Sequence, residues 1–243
     1  MSRIYLVRHG QAGTRKAYDS LSELGRRQAR LLGEYFVSEK ICFASAYSGA
    51  LVRQEETAAE VNDVYRETGA PFPEIVREPG WNEFDLTDVY RAFAPQLCAE
   101  DAEFAGRYQE LVTQARAAAE QPGASVNRRW LPCDVKVVQA WIRGQHPYEG
   151  ESWQAFRERV TGCQLTPEPA AGRDENIVVF TSATPIGIWA ALAMEIHDER
   201  AMRLAGVLYN ASCTVLRLQD GDLRLHSFNA IPHLGEPGLR TYR

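Results

Sequence analysis

A short apolar run that breaks off in a polar turn opens the sequence: Ile4-Tyr5-Leu6-Val7-Arg8-His9-Gly10-Gln11-Ala12. Its first four residues have the length and the apolar character of a buried strand. Gly10 permits the sharp turn that ends the strand. The stretch therefore predicts a first strand with Arg8 and His9 at its carboxyl end, which is where ligands bind in open α/β sheets.

Strand and helix patterns alternate after this stretch. Apolar residues at near-helical spacing predict a helix over about 21–37, with Ser20 and Glu23 as a capping box. A second strand over 41–47 precedes a helix that Ser48 would cap. Parallel strands need crossover connections of this kind, so the alternation favours a mostly parallel sheet covered by helices.

The middle of the chain, from about residue 86 to 150, carries helical patterns and few β-branched runs. We interpret it as a helical cap inserted into the core. The core resumes with an apolar strand over 176–181, a helix capped by Thr184 and a closing hairpin over 213–228. The expected fold is a three-layer α/β/α arrangement with a mostly parallel sheet and an inserted helical cap, in a single domain over 1–243.

Composition narrows the classes of function. The 243 residues are 45% hydrophobic and can bury a full core. No run of about 20 apolar residues could span a bilayer, and Met-Ser-Arg leads into a strand instead of a signal peptide, so we expect a soluble, cytoplasmic protein without a membrane partner. A formal charge of −5 gives no broad positive field for nucleic acid, and the five cysteines lack disulfide or zinc spacing.

Side chains that carry chemistry fall at the predicted strand ends, namely Arg8, His9, Ser48 and Ser182. Helix N-termini at this edge offer unpaired amides and a positive dipole end to an anion. A guanidinium can bind two phosphate oxygens while a neutral imidazole nitrogen attacks phosphorus. An isolated Arg-His pair is more often part of an ordinary polar loop, so the rest of the sequence has to decide.

Several segments, in their order and separation, resemble the phosphoglycerate mutase-like, or histidine phosphatase, superfamily. The nine residues quoted first resemble its hallmark. The other matching segments are Leu21-Ser22-Glu23-Leu24-Gly25 with Gln28-Ala29, Tyr47-Ser48-Gly49-Ala50-Leu51-Val52-Arg53-Gln54 with Thr57-Ala58, Trp81-Asn82-Glu83-Phe84, Gly150-Glu151-Ser152 and, as in some members, residues 229–234. The matches run along the whole core, whereas the insertion resembles nothing recognisable.

The resemblance implies a role for each matching residue. His9 would form a transient phosphohistidine, with Arg8 and Arg53 binding the phosphate oxygens and no metal or cofactor involved. Glu83 would protonate the leaving oxygen and later activate water, and Asp85 is the local alternative for this acid.

The sequence departs from the family at Ser182, which our alignment places where a second histidine usually binds a phosphate oxygen. A hydroxyl donates one neutral hydrogen bond, whereas charge-assisted bonds are roughly twice as strong. Loss of one such stabiliser costs about 100- to 1000-fold in rate, so we expect low or narrow activity. Ser182 and Gln11 are both expected to contact the phosphate, and Gln11 stands where true mutases commonly carry glutamate.

Three functions stay open at this point. The favoured one is a metal-independent phosphomonoester hydrolase acting on a phosphorylated small molecule or a phosphoprotein, with no nucleic-acid partner. The alternatives are a non-catalytic module that binds phosphorylated ligands, suggested by Ser182, and a phosphoglycerate-type mutase. No pattern indicates the physiological substrate or the oligomeric state.

Overall fold

Six strands form a sheet in the computed structural model, which describes residues 2–13, 19–119, 132–165, 175–219 and 221–242. The strands are β1 (Ser2–Arg8), β2 (Ser45–Ser48), β3 (Ile75–Arg77), β4 (Asn176–Thr181), β5 (Cys213–Gln219) and β6 (Asp222–Ala230). Their order in the sheet is β3-β2-β4-β1-β5-β6.

The helices are α1 (Glu23–Ser38), α2 (Val52–Thr68), α3 (Leu86–Glu100), α4 (Ala102–Ala119), α5 (Pro132–Ile142), α6 (Trp153–Thr161), α7 (Ala183–Ala193) and α8 (Asp198–Ala205). Short 3-10 turns lie at Pro79–Trp81 and Pro237–Leu239. Across the described ranges, every helix is too short or too polar to cross a membrane.

Strand pairing places the first and fourth strands side by side at the centre of the sheet. β1 runs parallel to β4 and antiparallel to β5, whereas β2 runs parallel to both β3 and β4. The β5–β6 hairpin is antiparallel, so β6 forms one edge of the sheet and β3 forms the opposite edge. Four strands are therefore parallel and the predicted α/β class is confirmed. The register pairs Arg8 with Thr181, so the residues that follow them leave the sheet at the same edge.

Alternate residues of β1 bury against the two faces of the sheet, as the two-residue period of a strand requires. Tyr5 and Val7 belong to a cluster with side chains of α1 and α2. Ile4 and Leu6 belong to a second cluster, which includes residues of α7 and of the helices α3, α5 and α6. The sheet is thus covered on both sides, and the inserted helices share its hydrophobic core.

The helical cap predicted between about 86 and 150 is present as α3, α4 and α5, and residues 120–131 within it lie outside the described residues. It is joined to the core through aromatic contacts. The rings of Phe84 and Trp141 stack with their centroids 4.6 Å apart, and Phe156 of α6 meets Phe84 edge-on. The cap is therefore packed directly onto the segment that carries Glu83.

Three predicted helix starts are wrong by a few residues. α1 is capped by Ser22, whose Oγ accepts from the Gly25 amide at 3.0 Å, instead of by Ser20. Ser48 stays in β2 because its backbone pairs with β4, so α2 begins later. α7 begins directly after Ser182, and Thr184 lies inside its first turn. For α2, pairing of β2 with β4 thus displaced the helix start that local sequence predicted.

Candidate active site

The backbone of His9 is held from two sides at the end of β1. Its N–H donates to the Thr181 carbonyl at 2.9 Å, and its carbonyl accepts from the Ala211 N–H at 3.1 Å and from Asn210 Nδ2 at 3.3 Å. Ala211 has φ of 54°, in the left-handed region that non-glycine residues adopt at a cost. The loop before β5 therefore gives His9 a fixed position.

The contacts of the imidazole ring define its tautomer. Nδ1 lies 2.7 Å from the Gly10 carbonyl, which can only accept, so Nδ1 carries the proton. Nε2 then has the lone pair, and it accepts from Arg53 Nε at 3.2 Å. His9 is 6% exposed. The ring is consequently neutral, and its Nε2 lone pair lies beside a guanidinium.

The turn at Gly10 connects this ring to α1 and α2. A Cβ at Gly10 would lie 2.4 Å from the Gly25 carbonyl oxygen of α1, so only glycine fits. The Gly10 N–H donates to Thr57 Oγ1 at 3.0 Å, and the same hydroxyl donates to the Arg53 carbonyl at 2.7 Å. Thr57 thereby connects the turn that follows His9 to the helix that carries Arg53.

Arg53 lies in the first turn of α2 and is 8% exposed. Besides its contact with His9, it donates through Nη1 to Asp19 Oδ1 at 2.7 Å. Asp19 Oδ2 also accepts from the Val52 N–H at 3.3 Å. A carboxylate thus lies where the amide end of a helix and a guanidinium meet, which is an arrangement suited to an anion.

Arg8 and Gln11 are buried on either side of His9 in the sequence. Arg8 donates through Nη1 to the Leu208 carbonyl. The Gln11 N–H donates to Gln28 Oε1 at 2.8 Å, and Gln11 Oε1 accepts from Ser22 Oγ at 2.8 Å. Gln11 therefore connects the end of β1 to the N-cap and first turns of α1.

Ser182 is the N-cap residue of α7 and is 1% exposed. Its hydroxyl makes no capping bond to the helix. Instead, Oγ accepts from Gln54 Nε2 at 2.9 Å. Gln54 follows Arg53 on α2, so the structure brings Ser182 to the same helix turn that contacts His9.

The two candidate acids have different surroundings. Glu83 is half-buried, with Oε2 accepting from the Thr184 N–H of α7 at 3.1 Å and Oε1 from the Phe84 N–H at 3.2 Å. Asp85 is exposed and caps α3 by accepting from Thr87 N–H at 2.8 Å and the next amide at 3.1 Å. Glu83 lies beside the helix start at Ser182, whereas Asp85 is committed to a cap on the surface.

Sequence reasoning left several contacts at this site unassigned. Asn210 and Ala211 hold the His9 carbonyl, Asp19 pairs with Arg53, and Gln54 binds Ser182. The only available signal was the place of Gln54 directly after Arg53 in a motif. The partners of the others come from distant parts of the chain.

A neutral imidazole nitrogen beside a buried guanidinium, at the carboxyl edge of parallel strands, defines a class of α/β protein whose site suits a phosphoryl group. Over the described ranges, no group of three or more His, Cys, Asp and Glu side chains could hold a metal ion. The family model described as the histidine phosphatase superfamily (branch 1) matches residues 4–133 and 131–231. The chain belongs to this superfamily.

Among curated proteins, the chain is similar to the mitochondrial serine/threonine-protein phosphatase Pgam5 of Caenorhabditis elegans and of Caenorhabditis briggsae. Each is 24% identical over 174 residues, which cover 67% of this chain and 56% of the relative. The match thus spans little more than half the length of these relatives. Since both are described as mitochondrial, the cytoplasmic location stays a prediction.

Solved structures share the fold at low identity. A mycobacterial glucosyl-3-phosphoglycerate phosphatase in complex with inorganic phosphate is 23% identical with a TM-score of 0.58, covering 95% of this chain and 98% of that one. A phosphoserine phosphatase variant from Entamoeba histolytica, in complex with phosphoserine, is 16% identical with a TM-score of 0.56, covering 96% and 100%. YhfR of Bacillus stearothermophilus is 17% identical with a TM-score of 0.62 and covers 96% and 100%.

Proposed function

We propose that this protein is a metal-independent phosphomonoester hydrolase that works through a phosphohistidine at His9. The observation that carries the proposal is the His9 ring itself. Its Nδ1 proton is held by the Gly10 carbonyl at 2.7 Å, and its Nε2 lone pair lies 3.2 Å from Arg53 Nε. The nucleophilic nitrogen and a cation for the phosphate oxygens are therefore already adjacent.

In the first step, His9 Nε2 attacks phosphorus and the ester P–O bond breaks. Arg53 and Arg8 would bind the phosphoryl oxygens, with Gln11 and Ser182 as neutral contacts. Phosphoryl transfer depends mainly on positioning and on positive groups around these oxygens, so this set of side chains is suited to it.

Glu83 is the acid that we propose for the leaving group. Its proton passes to the departing alkoxide oxygen, and the resulting carboxylate then takes a proton from the water that attacks the phosphohistidine. This second step breaks the N–P bond and releases inorganic phosphate. Glu83 is half-buried and accepts from the Thr184 N–H, two residues after Ser182, whereas Asp85 is exposed and caps α3, and this placement supports Glu83 over Asp85.

Ser182 explains why we propose low or narrow activity. Its hydroxyl is buried at the start of α7 and supplies a neutral donor where a cationic one would bind more strongly. The substrate class that we propose is a phosphorylated small molecule or a phosphoprotein, in keeping with the phosphatase names of the relatives.

Phosphate release tests the proposal. Phosphate release by wild type, His9→Ala and the control His226→Ala would be measured in the presence of a chelator. The substrates would be phosphoserine, phosphorylated sugars, 3-phosphoglycerate, and peptides that contain phosphoserine or phosphothreonine. His226 lies on β6 and contacts Arg217, outside the site, so its variant controls for loss of a histidine as such. Acid-quenched protein would be analysed by mass spectrometry for phosphohistidine.

Release of phosphate that His226→Ala retains and His9→Ala loses is the expected result. Binding of phosphorylated ligands without any turnover would favour the non-catalytic module. Transfer of phosphate to another carbon of 3-phosphoglycerate, without free phosphate, would favour a mutase.

A further inference from the structure

The side chain of Gln54 is fully buried and points to a role for Ser182 beyond that of a missing histidine. Gln54 Oε1 accepts from the Leu51 N–H at 3.3 Å. Gln54 Nε2 donates to the Trp81 carbonyl at 3.2 Å and to Ser182 Oγ at 2.9 Å. The carboxamide therefore joins the start of α2 to two segments distant in sequence.

Two backbone groups determine which way this carboxamide faces. The Leu51 N–H can only donate, so the atom facing it is the oxygen. The Trp81 carbonyl can only accept, so the atom facing it is the nitrogen. The remaining N–H of the amide is consequently directed at Ser182, whose Oγ has to accept.

This polarity decides what the serine hydroxyl can do. A hydroxyl has one proton to donate, and here the proton is engaged neither in the bond with Gln54 nor in a capping bond to α7. A hydroxyl that accepts one hydrogen bond also becomes a better donor. The proton of Ser182 is thereby committed to neither of these two bonds.

Ser182 and His9 lie at the same edge of the sheet. Ser182 follows Thr181, whose carbonyl accepts from the His9 N–H at 2.9 Å. Gln54 in turn follows Arg53, whose Nε lies 3.2 Å from His9 Nε2. Both partners of the Gln54–Ser182 bond are therefore chain neighbours of groups that contact His9.

The residues around Gln54 leave space for its carboxamide in one position. A Cβ at Gly49 would lie 2.0 Å from Gln54 Oε1 and 3.0 Å from Asn82 Oδ1, so glycine is required for the carboxamide to occupy this position. Asn82 Oδ1 itself accepts from the Ala50 N–H at 2.6 Å. The loop between β2 and α2 is thus shaped around the Gln54 side chain.

We propose that Gln54 is a positioning residue that holds Ser182 as a hydrogen-bond donor to the transferring phosphoryl group. The inference rests on the proposed function and deepens it. Without the carboxamide, the Ser182 hydroxyl loses the hydrogen bond that fixes its orientation. The serine is then a working part of the site, and Gln54 acts only through it.

A double-mutant cycle tests this dependence. Wild type, Gln54→Met, Ser182→Ala and the double variant would be compared in kcat, in KM and in melting temperature. We expect Ser182→Ala to lower kcat about 10- to 100-fold and Gln54→Met about 3- to 10-fold, with KM changing less, because the bond is made mainly in the transition state. The double variant should match Ser182→Ala.

A multiplicative loss of kcat in the double variant would overturn the inference, because Gln54 would then act independently of Ser182. Gln54→Glu provides a second background should Gln54→Met fail to fold. Its carboxylate can only accept, so the serine proton turns towards it, and Ser182→Ala should cost less than twofold there. A full Ser182→Ala effect in that background would also overturn the inference.

The same four proteins, together with His9→Ala, separate this inference from the proposed function. If wild type shows no turnover that depends on His9, the proposed function is wrong, and the cycle is read from the affinity for inorganic phosphate by calorimetry. A coupled loss of phosphate affinity would then support the Gln54–Ser182 pair, whereas independent losses or none would contradict it.

Discussion

Replacing Ser182 by histidine alone should weaken the protein instead of restoring a family-type site. The Ser182 side chain is 1% exposed, and Gln54 Nε2 lies 2.9 Å from its Oγ. In a histidine, Cγ takes the place of this oxygen and the rest of the ring extends beyond it. That space is filled by the Gln54 carboxamide.

The cost follows from packing and from one lost hydrogen bond. Overpacking a core costs about 1–3 kcal/mol, and a typical intramolecular hydrogen bond contributes about 1 kcal/mol. The sum is about 2–4 kcal/mol. Since 1 kcal/mol shifts the Tm of a protein of about 150–250 residues by roughly 2–4 °C, Ser182→His should lower Tm by about 4–16 °C. Its kcat should fall below that of the wild type.

Removing the obstacle should reverse the effect on rate. In Gln54→Ala with Ser182→His the ring has room, and an imidazolium can make a charge-assisted bond to a phosphoryl oxygen. We expect kcat about tenfold above that of Ser182→His alone, which corresponds to about 1.4 kcal/mol in the barrier. Thermal melts and phosphate release on the two variants and wild type measure both quantities. A Ser182→His single variant that melts with the wild type and turns over faster would refute this reasoning.

Three further perturbations probe other groups. Glu83→Gln should lower kcat on alkyl phosphates about 100-fold, whereas Asp85→Asn, which retains a helix cap, should change it less than twofold; the opposite ranking in steady-state assays would reassign the acid. Asp19→Asn removes the carboxylate paired with Arg53, which leaves the guanidinium available to phosphate. Product inhibition by inorganic phosphate should therefore tighten about 2- to 5-fold. Unchanged or weaker inhibition would show that Asp19 does not compete with the anion for Arg53. Burial lowers the pKa of His233 in the folded protein to about 4, compared with about 6.5 in the unfolded chain. Between about pH 6.5 and about pH 4 the unfolded chain therefore binds a proton that the folded protein does not, and the stability of the fold declines as the pH falls through this interval. His233→Gln should flatten the Tm-versus-pH curve over this interval, and an unaltered slope would mean that another group titrates.

The sequence was informative about whatever depends on neighbours in the chain. The apolar run before Arg8-His9-Gly10 predicted β1, its abrupt end and the position of His9, because strand length and glycine turns are local properties. The alternation of strands and helices predicted the α/β class, and the helical insertion is present where it was expected. These features need no knowledge of which segments meet.

Tertiary structure alone decided which side chains contact each other. The Arg53–His9 contact joins residues 44 apart, and the Gln54–Ser182 bond joins residues 128 apart. Such pairs leave no periodicity in either segment, because they form only when α2 packs beside the ends of β1 and β4.

Contacts between distant segments also explain the errors at the starts of α2 and α7. Ser48 and Thr184 are good caps by local sequence, but pairing of β2 with β4 kept Ser48 in the sheet. At α7 the helix began at the strand end, and the hydroxyl of its N-cap, Ser182, was taken by Gln54 instead of a helix amide. Local sequence determines which groups can cap a helix or bind a ligand. Packing determines which of the competing partners they bind, because a buried polar group has to be satisfied by whatever the fold places beside it.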